Sequence, residues 1–231
     1  MPPPLQKWVK RCSVPSAERE TIRSEALRIL EVANRDLQRP VPQYPGWSMA
    51  DLLAHLASVH GRTAIICIDI AQERVSGPHL PLHGDVSRWF GETLVSMLEA
   101  LASTDHDAGV WGFGSRPTVG LWQRRMLIET GVHRWDAEQA WGEEQPLLDA
   151  VAIAGLDEFS DMWLPRIPVV PTISMTATDL GRSWVFGAEE PDERVEGTAS
   201  ELYLRLMSRP GVELPDEWAA AVDALEPPPK R

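Results

Sequence analysis

The sequence predicts an α+β protein in which a four-helix bundle precedes a small unit of strands and helices. Segments within the first 140 residues repeat apolar residues at helical spacing, so that each has one apolar side. Segments typical of β-strands occur only beyond residue 142, where the turn-forming runs TDLG and EEPDE separate them. We therefore predict a bundle domain over 16–142 and an α+β domain over 143–210, with terminal arms at 1–15 and 211–231.

Start and stop signals define the helices of the predicted bundle. Ser16 can cap the first helix, and Pro40 follows its end. The second helix opens with the run SMAD at 48–51, a capping box in which Asp replaces the usual Glu. The four helices are predicted over 16–38, 48–75, 86–103 and 122–140. Helices with one apolar face each and connections of moderate length are typical of a bundle.

The segments that follow predict the second unit. They are a helix over 146–163, strands over 169–177, 182–187 and 194–197, and a helix over 198–209. The strands and the helices occupy separate stretches of the chain, which is typical of a small α+β unit.

The composition of the chain limits its partners and its location. The 231 residues carry a formal net charge of −12 without a basic stripe, which argues against nucleic acid as a partner. The apolar runs are too short to cross a membrane, and the N-terminal run MPPPLQKWVKRC lacks the apolar core of a signal peptide. Cys12 and Cys67 are too few for a disulfide framework or a cysteine-based metal site. We expect a cytoplasmic protein.

The fourth helix carries a carboxylate and an imidazole on its apolar stripe. At about 100° per residue, one face of that helix carries Trp122, Met126, Glu129, His133, Ala137 and Ala140. The opposite face carries Gln123, Arg124, Gly131, Arg134 and Glu138. An ionised carboxylate buried without a partner costs several kcal/mol, so Glu129 needs one. The partner is either Arg125, four residues earlier, or a divalent metal shared with His133 and with His55 of the second helix.

A set of two imidazoles and one carboxylate has a defined metal preference. It suits a borderline divalent ion such as zinc, and three protein ligands leave one coordination position open, as in catalytic sites. A metal there can lower the pKa of a bound water or thiol, or polarise a carbonyl group. From the spacing alone, the metal and the ion pair both stay open. His79 and His83 lie in a loop rich in Gly and Pro, and we expect both to be solvent exposed.

Three further polar residues accompany this set. Asp136 either orients a ligand histidine from behind or caps the wet end of the bundle. His60 lies roughly 140° around the second helix from His55. We expect His60 to support a ligand histidine from behind, to contact substrate or, more simply, to lie at the surface. Arg125 can hold an anionic group of the substrate if it does not pair with Glu129.

Four segments of the chain resemble a known family. They are PGWSMADLLAHLASVH, ETGVHRWDAEQA, ATDLGRSWVF and GTASELYLRLMSR, and in this order they resemble the mycothiol-dependent maleylpyruvate isomerase family over roughly residues 16–210. The resemblance implies a DinB-like four-helix bundle followed by a unit similar to sterol carrier proteins. It also implies that His55, Glu129 and His133 bind a divalent metal, usually zinc, which coordinates the sulfur of the low-molecular-weight thiol mycothiol.

The chain departs from the resembling family at two places. Ile128 stands where many relatives carry a histidine immediately before the metal-binding Glu, and the run LMSR stands where WGR is more usual. Arg209 still ends that run and, like Arg182 in the DLGRSW turn, could bind a substrate carboxylate. A plain surface arginine is the alternative for each.

These observations lead to three functional hypotheses. The first is a metal-dependent mycothiol S-transferase that activates the thiol for attack on an electrophilic small molecule, and Ile128 slightly favours it. The second is a mycothiol-dependent cis–trans isomerase acting on maleylpyruvate. The third, from another class, is a non-catalytic protein that binds a metal or small ligand for regulation. A pure scaffold would gain nothing from burying Glu129, which argues against the third.

Overall fold

A computed structural model describes residues 16–82, 84–114, 116–168, 170–187 and 190–225. The described chain forms two compact units, 16–144 and 145–225. It contains both helices and a three-stranded sheet, so the predicted α+β class is confirmed. The predicted arm at 1–15 and the solvent exposure predicted for His83 lie outside the described residues. The domain limits 16–142 and 143–210, taken as limits of independently folding domains, remain a prediction.

The first unit contains the four helices that the periodicity predicts. They are α1 (Ala17–Ala33), α2 (Met49–Ile68), α3 (Val86–Ser103) and α4 (Val119–Gln139). Ser16 and Thr118 cap α1 and α4 through their side chains, and Ser48 forms the predicted capping box with Asp51 at the start of α2. The predicted extension of the second helix to residue 75 is wrong, because the backbone turns into the left-handed region at Ile70, where φ is 48°.

Helix α4 is buried on nearly every side. Its apolar stripe faces the core, as predicted, with Trp122 1% exposed. Its opposite face is not a solvated face, because Arg134 and Glu138 are buried against α1. Arg134 donates to Glu25 of α1 at 3.0 Å and to Glu138 at 2.7 Å. Buried charges of this kind persist because each is paired.

The second unit contains a mixed sheet and three α-helices in its described part. They are α5 (Asp149–Met162), β1 (Ile173–Ala177), β2 (Arg182–Phe186), β3 (Glu193–Gly197), α6 (Ala199–Leu206) and α7 (Asp216–Asp223). The strand order is β2-β1-β3, with β1 antiparallel to β2 and parallel to β3. Helix α5 packs on α6 so closely that a Cβ at Gly155 would lie 2.2 Å from the ring of Tyr203.

The prediction of a terminal arm over 211–231 is wrong for the part that the structure describes. Helix α7 lies within that stretch, and its Trp218 is fully buried. The indole Nε1 of Trp218 donates to the backbone oxygen of Pro171 at 2.8 Å. The ring also lies near Phe159 and Phe186, at centroid distances of 6.5 and 6.4 Å. The helix therefore completes the core of the second unit, and only 226–231 lies outside the described residues.

Candidate metal centre

Helices α2 and α4 bring His55, Glu129 and His133 together. Nε2 of His55 lies 3.0 Å from Oε1 of Glu129, and Nε2 of His133 lies 3.5 Å from the same oxygen. Within the described ranges these residues form a group whose ligand atoms all lie within 4.8 Å of one another. We call these three residues the metal set. Such a separation lets one ion contact two nitrogens and one carboxylate oxygen.

The electrostatics of the metal set follow from its burial. Burial raises the pKa of the Glu129 carboxyl, but hydrogen bonds from His133 and His55 outweigh this and hold that pKa well below its usual range. Burial lowers the pKa of His133, but Asp136 and Glu129 outweigh it and raise the pKa to about 9. The Glu129 side chain is 20% exposed, whereas the two imidazoles are buried. The site can therefore be reached from solvent on the Glu129 side.

Arg125 is also close to Glu129 but makes the weaker contact. Its Nη2 lies 3.7 Å from Oε2 of Glu129, beyond hydrogen-bond distance, and the side chain is 9% exposed. The two histidines approach the other carboxylate oxygen more closely. Glu129 thus contacts the two histidines through Oε1 and lies near Arg125 through Oε2, so its position accommodates either the ion pair or a metal shared with the histidines. The role of Arg125 in holding an anionic substrate group stays a prediction.

Asp136 lies behind the metal set, in contact with His133. Its Oδ2 accepts a hydrogen bond from Nδ1 of His133 at 2.9 Å. Asp136 is fully buried. The alternative that Asp136 caps the wet end of the bundle is therefore wrong. Its role toward a bound metal stays a prediction, and the contact identifies His133 as the ligand that it would orient.

His60 does not lie at the surface, and that expectation is wrong. The residue is fully buried, and its ring lies 5.4 Å from the ring of Phe90 on α3. Among the described residues neither ring nitrogen has a hydrogen-bond partner, so His60 does not orient a ligand histidine by hydrogen bonding. Burial lowers its pKa to about 3, which keeps the imidazole neutral.

Two aromatic residues beside the metal set escaped the sequence analysis. The ring of Trp47 lies 5.3 Å from that of His55, and the ring of Tyr44 lies 5.7 Å from that of His133. Both belong to a closed loop between α1 and α2, in which Val41 N donates to the oxygen of Trp47 at 3.0 Å. The available signal was the run YPGWS, which places two aromatic residues directly before the cap of α2.

The two arginines predicted for substrate carboxylates lie in the second unit. Arg182 forms an ion pair with Asp157 and stacks over the ring of Trp184 at 4.7 Å. This matches the surface alternative for Arg182, whose side chain is 46% exposed. Arg209 is only 6% exposed, so the surface alternative is wrong for it, and its Nη1 donates to the oxygen of Met207 at 2.6 Å. Binding of a carboxylate by either arginine stays a prediction.

Sequence comparison identifies the family. The profile described as the mycothiol maleylpyruvate isomerase N-terminal domain matches residues 19–138, which is slightly more than half of the chain. The chain belongs to this family. The matched range includes His55, Glu129 and His133, and the predicted membership of a mycothiol-dependent enzyme family is confirmed.

Solved structures of family members share the fold. The chain is 12% identical to the protein of a crystal structure of the mycothiol-dependent maleylpyruvate isomerase, with a TM-score of 0.62. It is 13% identical to a histidine-to-alanine mutant of that isomerase, with a TM-score of 0.65. Each alignment covers 92% of this chain and 95% of the other. No match was found among the curated proteins. In the described residues, no helix is long and apolar enough to cross a membrane.

Proposed function

We propose that this family member is a metal-dependent enzyme that uses a low-molecular-weight thiol, mycothiol or a close analogue, on a small electrophilic substrate. The observation that carries the proposal is the convergence of His55, Glu129 and His133 from two helices, with all ligand atoms within 4.8 Å. The family of the chain supports mycothiol as the thiol.

The metal set fits a divalent ion of the zinc class. Two imidazole nitrogens and one carboxylate oxygen are the donors that such an ion accepts, and three protein donors leave a position open. The residues that would hold it are His55, Glu129 and His133. A divalent ion in such a site lowers the pKa of a thiol bound to it, which supplies a thiolate near neutral pH.

The residues around the metal set shield it from water and place a positive charge beside it. Tyr44 and Trp47 pack against the imidazoles and exclude water from that side, since both are nearly buried. Arg125 places a positive charge one helical turn before Glu129, which favours a ligand that arrives as an anion. These contacts exist within one unit, so the bundle alone provides the described metal set.

Isomerisation is the reaction that the comparisons favour, although the sequence slightly favoured S-transfer. Both solved relatives are described as maleylpyruvate isomerases. S-transfer is the second candidate because Ile128, which is 2% exposed, directly precedes Glu129 in the sequence where the resembling family often carries a histidine. The two reactions differ in whether they consume the thiol. Isomerisation returns the thiol unchanged, whereas S-transfer consumes one thiol for each carbon–sulfur bond that persists in the product.

Metal analysis and thiol accounting test this proposal together. We expect purified wild type and the exposed-histidine control His79→Ala to bind about one zinc per chain, and His55→Ala to bind far less. The zinc-loaded protein is then incubated with mycothiol and maleylpyruvate, and with a panel of other electrophiles. Turnover without loss of thiol supports isomerisation, and turnover with one thiol lost per product supports S-transfer. Stoichiometric zinc without thiol-dependent turnover would favour the regulatory binding protein, and absence of zinc would overturn the proposal.

A further inference from the structure

Nδ1 of His133, the nitrogen that does not face Glu129, contacts the buried carboxylate of Asp136. We propose that Asp136 is a positioning residue: its carboxylate keeps the proton of His133 on Nδ1, so that Nε2 is the nitrogen presented to the metal. The inference rests on the proposed function, because it assigns a role toward the metal that the metal set would hold.

The two ring nitrogens of His133 face different carboxylates. Nδ1 donates to Oδ2 of Asp136 at 2.9 Å, and Nε2 lies 3.5 Å from Oε1 of Glu129. A ring nitrogen that donates to a carboxylate has no lone pair free for a metal. The contact with Asp136 therefore leaves Nε2 as the only donor atom that the neutral ring can offer.

The setting makes this hydrogen bond durable. Asp136 lies one turn of α4 beyond His133 and is fully buried, so water does not compete for the contact. The ring of Tyr44, 5.7 Å from that of His133, restricts rotation of the imidazole. A buried carboxylate costs several kcal/mol unless it is paired or hydrogen-bonded, and the bond to His133 offsets part of that cost.

His55 has an oriented setting of its own, formed by Trp47 and Glu129. The His55 ring packs against Trp47 at a centroid distance of 5.3 Å, and its Nε2 faces Glu129. Loss of Asp136 should therefore disturb one of the three protein ligands and leave the other two in place. The expected result is weakened metal binding rather than its complete loss.

The competing explanation is that the Asp136 contact only stabilises α4. A purely structural role predicts a lower free energy of unfolding with an unchanged metal affinity of the folded protein. A positioning role predicts a lower metal affinity even where the variant is fully folded. Metal affinity and folding stability must therefore be measured separately on the same variants.

The experiment uses the full chain with Asp136→Asn and Asp136→Ala. Asp85→Ala is the matched control, because Asp85 caps α3 through Ser87 N and Arg88 N in the same unit. Zinc affinity is measured at one pH by competition with a chromophoric chelator, and folding by urea unfolding of the metal-free protein. Loss of a side chain that hydrogen-bonds to a metal-binding histidine typically weakens metal binding by about 10–100-fold. We expect about 100-fold weaker binding for Asp136→Ala, about tenfold for Asp136→Asn, and less than twofold for Asp85→Ala.

A second readout identifies the nitrogen that binds the metal. Nitrogen-15 NMR of the zinc-loaded wild type should show His133 bound through Nε2 and protonated at Nδ1. Wild-type ligation through Nδ1, or zinc affinity of Asp136→Ala within twofold of wild type, would overturn the positioning role while the metal proposal stands. If wild type binds no zinc, the proposed function fails and the positioning role fails with it. His133→Ala, which should lose binding outright, separates these results from a failure of the assay.

Discussion

Replacing His60 by Leu should make the bundle less sensitive to acid. His60 is fully buried, and burial lowers its pKa from 6.5 to about 3. The charge of Glu129 opposes this shift, and repulsion from His55 and His133 adds to it. The folded protein therefore holds His60 neutral between pH 3 and 6.5, where the unfolded chain binds a proton. Protonation of His60 therefore leaves the free energy of unfolding unchanged above about pH 6.5 and lowers it as the pH falls from 6.5 toward 3.

The size of the effect follows from the two pKa values. At pH 4.5, two pH units below the pKa of 6.5 of the unfolded histidine, each unit costs about 1.4 kcal/mol, so wild type loses about 3 kcal/mol of unfolding free energy relative to pH 7.5. The variant His60→Leu has no such loss. At pH 7.5 it should be more stable than wild type by about 1–3 kcal/mol, because two buried ring nitrogens without hydrogen-bond partners are removed.

Urea unfolding of the metal-free protein at pH 7.5 and 4.5 measures both the pH-dependent loss in wild type and the gain of His60→Leu at pH 7.5. His60→Gln is the control, because it also removes the titrating ring but keeps buried polar atoms. Like His60→Leu, it should avoid the loss of stability between pH 7.5 and 4.5, but it should not be more stable than wild type at pH 7.5. His60 is neutral in the folded state at both pH values, so the titration of the metal set cancels between variants. An equal loss of stability in wild type and His60→Leu between the two pH values would refute the reasoning.

Other substitutions test packing, charge pairing and the metal. Gly155→Ala should destabilise the chain by about 3 kcal/mol in urea, because its Cβ would meet the Tyr203 ring at 2.2 Å, and an effect under about 0.5 kcal/mol would contradict this packing. Arg134→Met should cost about 3–5 kcal/mol, since Glu25 loses its buried partner at 3.0 Å, and unchanged urea unfolding would show that the pairing contributes nothing. Zinc at 100 times its Kd should raise the unfolding free energy of wild type by about 2.7 kcal/mol. Glu129→Gln should lose most of that increase, and an equal increase in both proteins would argue against Glu129 as a ligand.

Local signals in the sequence account for most of the bundle. The helical repeat of apolar residues and the caps at Ser16 and Ser48 predicted three helix starts within one or two residues. Helix ends were less accurate. The end of α2 depends on the backbone at Ile70, where a positive φ in a β-branched residue has no marker in the sequence.

The exposure of polar residues was predicted less well than their place along the helices. His60 was expected at the surface, and Arg134 and Glu138 were placed on the face of α4 opposite its apolar stripe, yet all three are buried. A single helix shows which residues share a face, but the number of faces that become buried depends on its neighbours. Helix α4 is covered on its polar side by α1, whose Glu25 supplies the charge that Arg134 needs.

Helix α7 shows the same limit at the end of the chain. Its eight residues make only about two helical turns, too short a stretch for a helical spacing of apolar residues to stand out beside a Pro-rich tail. Burial of Trp218 among Phe159 and Phe186 is what holds the helix in place. Such a contact joins residues far apart in sequence, so no local pattern records it.

The sequence by itself determined the family, the α+β class and the candidate ligands His55, Glu129 and His133. These depend on motifs and on spacing along single helices, which are local properties of the chain. Only the tertiary structure decided that one carboxylate oxygen faces both imidazoles, and that Asp136, Tyr44 and Trp47 surround them. Distances between α2 and α4 are fixed by packing across the bundle, and packing is a property of the folded chain rather than of any one segment.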